Sequence, residues 1–193
     1  MKYIRYVMTF IMGFLIDKLL DKYNQQSQYT KSLKYNYIPG LLWLLLFYLK
    51  GFTLNVLLFA LSTSLMYSSS KVDIKYKEIP DFHNLLLVIL GIIYIFVNKN
   101  DFINLTSGGI YLFVFLTLIM ILSGSLGAGD VKMSGVGFFI GKNLLLNFIT
   151  ITFLSGAIFG IILLATKKKE KNDTFSFGPF ISLSAYITYL LYI

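Results

Sequence analysis

The chain has 193 residues, 56% of them hydrophobic and only 13% charged, with no cysteine. That composition excludes a soluble globule, and the lack of thiols excludes disulfides and thiolate metal sites. The net charge of +8 does not indicate nucleic acid as a partner, because the lysines scatter through short loops and form no stripe interleaved with aromatic residues.

Long apolar runs between short charged loops describe an all-α, polytopic membrane bundle, since in lipid each backbone polar group must be satisfied within its own helix. The runs fall at about 3–20, 37–49, 52–70, 82–98, 102–123, 131–141, 144–166 and 177–193. Eight spans are expected, with six as the fallback, because several runs are shorter than the roughly 20 residues a spanning helix needs. The first run lacks a small-residue cleavage site and reads as a helix, not a signal peptide. Asp17 and Asp21 at its end, among lysines, read as solvated. The polar loop 21–36 is too short for a domain, so 1–193 reads as a single transmembrane unit. Lys50-Gly51 and Gly141-Lys142-Asn143 supply turn chemistry that divides 37–70 and 131–166 into hairpins. His83, the only histidine, reads as an interfacial polar residue, and no metal site is expected. Asn104-Leu105-Thr106 matches a glycosylation sequon, a match too short to carry weight. Gly156 and Gly160 read as a helix-packing pair. Lys167 to Asp173 reads as a charged connector at the membrane surface.

Charge sets the orientation. With 18–36, 71–81, 124–132 and 167–176 on one side, twelve basic residues lie there against five on the other. The first side is therefore the cytosolic one, and it carries both Asp73 and Asp130. A carboxylate at a membrane boundary is expensive and points to function. Two such groups on one face suggest an aspartyl protease: close carboxylates resist joint ionisation, so one activates water while the other holds a proton. Gly124, Gly127 and Gly129 would leave room for a substrate backbone and free the chain's dihedrals. Gly135, Gly137 and Gly141 continue a small-residue face suited to close helix packing. On chemistry alone Asp130 reads as functional, Asp73 stays open, and Asp81 after Pro80 reads equally well as a helix cap or support.

Three segments resemble the type IV prepilin peptidase family of membrane aspartyl proteases. Asp73-Ile74-Lys75-Tyr76-Lys77-Glu78-Ile79-Pro80-Asp81 is similar to its Asp-x6-Pro-Asp/Asn element. Gly127-Ala128-Gly129-Asp130-Val131-Lys132 is similar to its Gly-x-Gly-Asp-x-Lys element, and Phe177-Gly178-Pro179-Phe180 resembles the opening of its last helix. Met12-Gly13-Phe14-Leu15 is a fainter likeness to a Gly-Ser-Phe-Leu-Asn near the start of bacterial members. The resemblance implies Asp73 and Asp130 as the catalytic pair, with Gly127, Gly129, Lys132, Pro80 and Asp81 binding substrate or shaping the site. Lys132 would anchor to lipid phosphates or steer a substrate carboxylate. It further implies cleavage of the short basic leader from type IV prepilin or pseudopilin precursors in the cytoplasmic membrane, with no cofactor for the peptidase step. The family's Cys-rich insert is here the loop near 21–36. Zinc is therefore not expected, and N-methylation with S-adenosylmethionine is not carried over. Alternatives are another Gly-x-Gly-Asp protease, such as a preflagellin or signal-peptide-peptidase-like enzyme, or a transporter using aspartates for protons or cations. The sequence implies no particular oligomeric state.

Overall fold

A computed structural model describes residues 2–27, 29, 37–124, 126–166 and 176–193. Among these the chain is all-α, in nine helices with short 3-10 turns between some of them. They are α1 (Lys2–Ser27), α2 (Ile38–Lys50), α3 (Leu54–Tyr76), α4 (Asp81–Val97), α5 (Phe102–Ser123), α6 (Ala128–Lys132), α7 (Gly137–Ile140), α8 (Leu145–Ala165) and α9 (Gly178–Tyr192). Lys99–Ser123 and Lys142–Ala165 are long and apolar enough to cross a membrane. Ile103, Ile121, Leu122 and Leu146 stand exposed there, as side chains facing lipid would. The charged connector expected at Lys167 to Asp173 and most of the loop near 21–36 beyond Ser27 lie outside the described residues.

Local chemistry sets the breaks. Pro39 opens α2, and Gly51, at φ +79°, ends it. Thr53 then caps α3 by accepting from the Val56 amide at 3.2 Å, so 37–70 is indeed two helices. Gly124, at φ +61°, closes α5. The run 131–141 differs from a single helix: α6, a 3-10 turn and α7 follow one another in pieces of five, four and four residues. Its glycines explain this. They weaken the helix but let the segment lie directly on α5, where a Cβ on Gly108 would come within 2.6 Å of the Gly137 carbonyl oxygen.

The core sits where α3 meets α2, α4, α7 and α9. Phe59 stacks on Tyr189 with ring centroids 3.7 Å apart, and Phe139 meets Phe59 edge-on. Gly13 and Gly40 let α1 and α2 close on each other, since a Cβ on either would reach the opposite helix at 2.8 Å. Gly156 likewise makes room for Phe177, a packing role as expected.

Helix α3 is tied by polar side chains to each of four neighbours. Ser64 accepts from the Trp43 indole of α2 at 2.9 Å, and Ser68 from the Asn24 amide of α1 at 3.0 Å. Ser69 lies 3.1 Å from His83 Nδ1 of α4, and Ser70 lies 2.8 Å from the Ser182 hydroxyl of α9. His83 is thus 1% exposed and internal, not interfacial. Asp17 and Asp21 also correct the sequence reading. Both are buried, and both grip Lys71 Nζ of α3, at 2.8 and 2.7 Å.

Candidate active site

At one end of the bundle the C-terminal ends of α1 and α3 meet the N-terminal end of α4 and the short helix α6. A cavity of about 470 Å³ opens there, and Asp73 and Asp130 both line it. Pro80, Asp81, Gly127, Gly129 and Lys132 line it too. All seven residues singled out in the sequence therefore share one cavity, although Asp73 and Asp130 stand on helices from different parts of the chain.

Asp73 occupies the last turn of α3 and is 6% exposed. Its Oδ2 accepts from the Gly178 amide at 3.0 Å, and its backbone carbonyl accepts from the Ser176 hydroxyl at 2.8 Å. Lys77 Nζ donates in turn to Ser176 at 2.7 Å. Lys77 ends α3 at φ +60°, the only non-glycine residue in the left-handed region among those described. Such a conformation costs on the order of 1–3 kcal/mol and tends to persist where surrounding structure enforces it. A Cβ on Gly178 would stand 2.9 Å from Asp73 Oδ2. The Phe-Gly-Pro-Phe segment thus has a mechanical explanation. Its aromatic rings pack on α8, and its glycine brings a backbone donor to the carboxylate.

Asp130 sits in α6, the short helix after α5, outside the long apolar helices. Its Oδ2 accepts from the Gly127 amide at 3.2 Å, the carboxylate half of a capping box. Its Oδ1 is buried without a partner. Burial first, and then the charge of Asp73, push this carboxyl up to about 7. It is therefore only about half ionised at neutral pH.

Gly124 uses the dihedral freedom expected of it, at φ +61°, but Gly127 and Gly129 act differently from the sequence expectation. Gly127 has φ −75°, open to any residue, and Gly129 is not in the left-handed region either. What Gly129 supplies is space: a Cβ there would press on Ile79 at 3.1 Å. Ile79 also approaches the Gly178 position at 3.3 Å, so one side chain packs between the glycine beside Asp130 and the glycine whose amide holds Asp73. Lys132 pairs with Asp81 across the cavity mouth, where both are exposed. An exposed pair contributes at most about 1 kcal/mol, but it does join the two motif segments. Among the described residues no group of three His, Asp or Glu could hold a metal ion.

Sequence reasoning passed over Ser176, Lys77 and Ile79, and also Tyr23, Ser27 and Tyr29 at the end of α1, which form a further wall. An unbroken serine triplet followed by a lysine in an apolar helix was the available signal for the α1 contacts.

The sequence profile of the type IV leader peptidase family matches residues 58–161, the stretch holding both aspartates. The chain belongs to that family. It is 29% identical to a prepilin leader peptidase/N-methyltransferase of Legionella pneumophila over 168 residues, 81% of this chain and 58% of that protein. It is 26% identical to a protein of the same name from Xanthomonas campestris pv. campestris over 132 residues, 64% of this chain and 46% of that protein. The chain thus spans about half the length of the curated relatives it matches. No solved structure gives a significant match. The family profile leaves out α1, α2 and α9, although α1 lines the cavity and α9 holds Asp73 through the Gly178 amide.

Proposed function

We propose that this chain is a membrane-embedded aspartic endopeptidase that removes the leader from type IV prepilin or pseudopilin precursors at the cytosolic membrane face. The observation that carries this reading is the pair Asp73 and Asp130 on one cavity, where burial and the charge of Asp73 raise the Asp130 carboxyl. The names of the relatives point to the substrate class, and the excess of basic loops on the cavity side points to the cytosol.

The two carboxyls divide the work. Burial raises the Asp73 carboxyl too, but the Gly178 amide and the Lys77 charge oppose that rise, so Asp73 is assigned the ionised role and takes a proton from the attacking water. Asp130 gives its proton to the carbonyl oxygen as the water oxygen bonds to the carbonyl carbon. The resulting diol collapses as the C–N bond breaks, the amine taking the proton on Asp73 and Asp130 regaining one from a diol hydroxyl. Oδ1 of Asp130 has no partner within the protein, so no internal hydrogen bond need break for it to engage substrate. The proposal takes up the peptidase half of the relatives' name, on which the carboxylates bear.

The test is processing of a prepilin in reconstituted membranes by wild type, Asp73→Asn and Asp130→Asn, with the product sequenced and weighed. Wild type should cut after the leader while both variants insert but do not cut. Cleavage surviving in either variant, or none by wild type across several precursors, overturns the proposal. The product mass reports methylation directly.

A further inference from the structure

Two carboxylates and an ammonium are buried together between α1 and α3. Lys71 Nζ lies 2.8 and 2.9 Å from the oxygens of Asp17 and 2.7 and 2.8 Å from those of Asp21. The carboxylates are 1% and 0% exposed, and Lys71 is 12% exposed. Asn24 extends the contact by donating to Ser68. Asp17, Asp21 and Asn24 follow one another at steps of four and three, so they form a single stripe along α1. Apolar side chains would pack this face with less desolvation cost, so the best-attested use of such a buried ionic group is to fix register.

The stripe runs directly into the cavity. One turn beyond Asn24 is Ser27, and Tyr23, Ser27 and Tyr29 all line the cavity wall. Tyr29 is brought round by its amide, which donates to the Asn24 carbonyl at 3.1 Å. Its ring meets Tyr76 at the end of α3, 5.0 Å between centroids, and Tyr23 meets Phe82 of α4 at 4.6 Å. The opposite face of α1, with Met8, Met12, Leu15 and Leu19, is exposed. The position of this wall thus depends on the contacts α1 makes with α2 and α3 and on the Tyr23–Phe82 contact with α4.

We infer that the end of α1 is a substrate-positioning wall for the peptide segment on the cytosolic side of the cut, and that Asp17, Asp21 and Lys71 are the latch that sets its place. Lys71 and Asp73 are two residues apart, on nearly opposite faces of α3. The latch therefore acts away from the carboxylate and governs where substrate lies, not the chemistry of the pair. This rests on the peptidase reading above.

The chain has no cysteine, so a thiol can be placed at will. In Asp130→Asn protein, which retains uncut precursor on that reading, Tyr23→Cys should cross-link through a short bismaleimide to a cysteine in the precursor leader. Adding Lys71→Met should reduce the yield at least fivefold, and Lys71→Arg should restore it. In otherwise wild-type enzyme, Lys71→Met and Tyr23→Ala should each raise KM about tenfold and leave kcat within about twofold, a loss of roughly 1.4 kcal/mol in binding. A helix that merely supported the fold would lower kcat and the folded fraction together. If wild type cuts the precursor but Tyr23→Cys never cross-links, or the yield ignores Lys71→Met, the inference falls while the peptidase reading stands. If Lys71→Met does not fold, an unchanged KM for Tyr23→Ala overturns it. If wild type cuts nothing, the peptidase reading fails first and takes the inference with it.

Discussion

Asp130→Asn should make the protein more stable at alkaline pH while abolishing cleavage. The amide is nearly isosteric with the carboxylate, and its oxygen can still accept from Gly127, so the change removes a titration more than a shape. In wild type the carboxyl rises from 3.8 to about 7, chiefly through burial and then through Asp73. The native state thus binds this proton more tightly than the unfolded chain does. Stability from this group is complete below about pH 4, falls as pH rises to about 7, and is level beyond. Between about pH 5 and pH 8.5 the fall covers roughly two units, or on the order of 3 kcal/mol. For a chain of this length that corresponds to about 10 °C in Tm. Thermal melts in detergent at those two pH values, wild type against variant, isolate the group because other titrations cancel in the difference. Wild type should lose about 10 °C more than Asp130→Asn on going alkaline, and Asp73→Asn should fall between them. Equal losses in wild type and Asp130→Asn would refute the assignment of a raised, buried carboxyl to this position.

The same proton shapes the rate: cleavage should decline as pH rises through about 7, because Asp130 can no longer supply a proton, and a flat profile from about pH 6 to pH 9 would contradict this. Gly178→Ala places a methyl 2.9 Å from Asp73 Oδ2. Loss of a hydrogen bond to a charged group is worth about 1.5–3 kcal/mol, so kcat should fall about 10- to 100-fold with helicity by circular dichroism retained. Gly108→Ala forces a methyl to within 2.5 Å of the Gly141 backbone and should cost about 3 kcal/mol, read as lost folded protein in detergent titration. Lys132→Ala breaks only an exposed pair and should change stability by less than about 1 kcal/mol. A rise in KM for precursors bearing an acidic residue near the cut would support the steering role, and an unchanged preference would end it.

The parts of the site carried by short contiguous motifs were legible in the sequence. Asp73 with Pro80 and Asp81, and Gly127 to Lys132, each sit within one loop or helix end, so a short motif resemblance could group them. Contacts made by backbone groups were less visible. Gly178 reads as a helix opener, and nothing in its side chain announces that its amide meets Asp73. Asp17 and Asp21 misled because Lys18 and Lys22 stand beside them in sequence, whereas their partner is Lys71, some fifty residues away. Their spacing of four, which puts both on one helical face, was the available clue. His83 was similarly hidden, because only the fold turns it towards Ser69. The segment 131–141 was recognised as apolar, but its glycines replaced one helix with short turns closely packed on α5.

Ser64, Ser68, Ser69 and Ser70 each address a different neighbour of α3, and successive residues of a helix are turned by about 100°. A helix held by apolar contacts alone could absorb a lost or added residue by sliding. Here a single-residue insertion between Ser64 and Ser68 would leave the Trp43 contact and the other three about 100° out of step. It would also turn Asp73 away from Gly178 if the upper contacts won, or unseat α2 if the lower ones did. Length variation among proteins built this way should therefore collect in the loops, while α3 keeps its residue count even where its apolar side chains change freely.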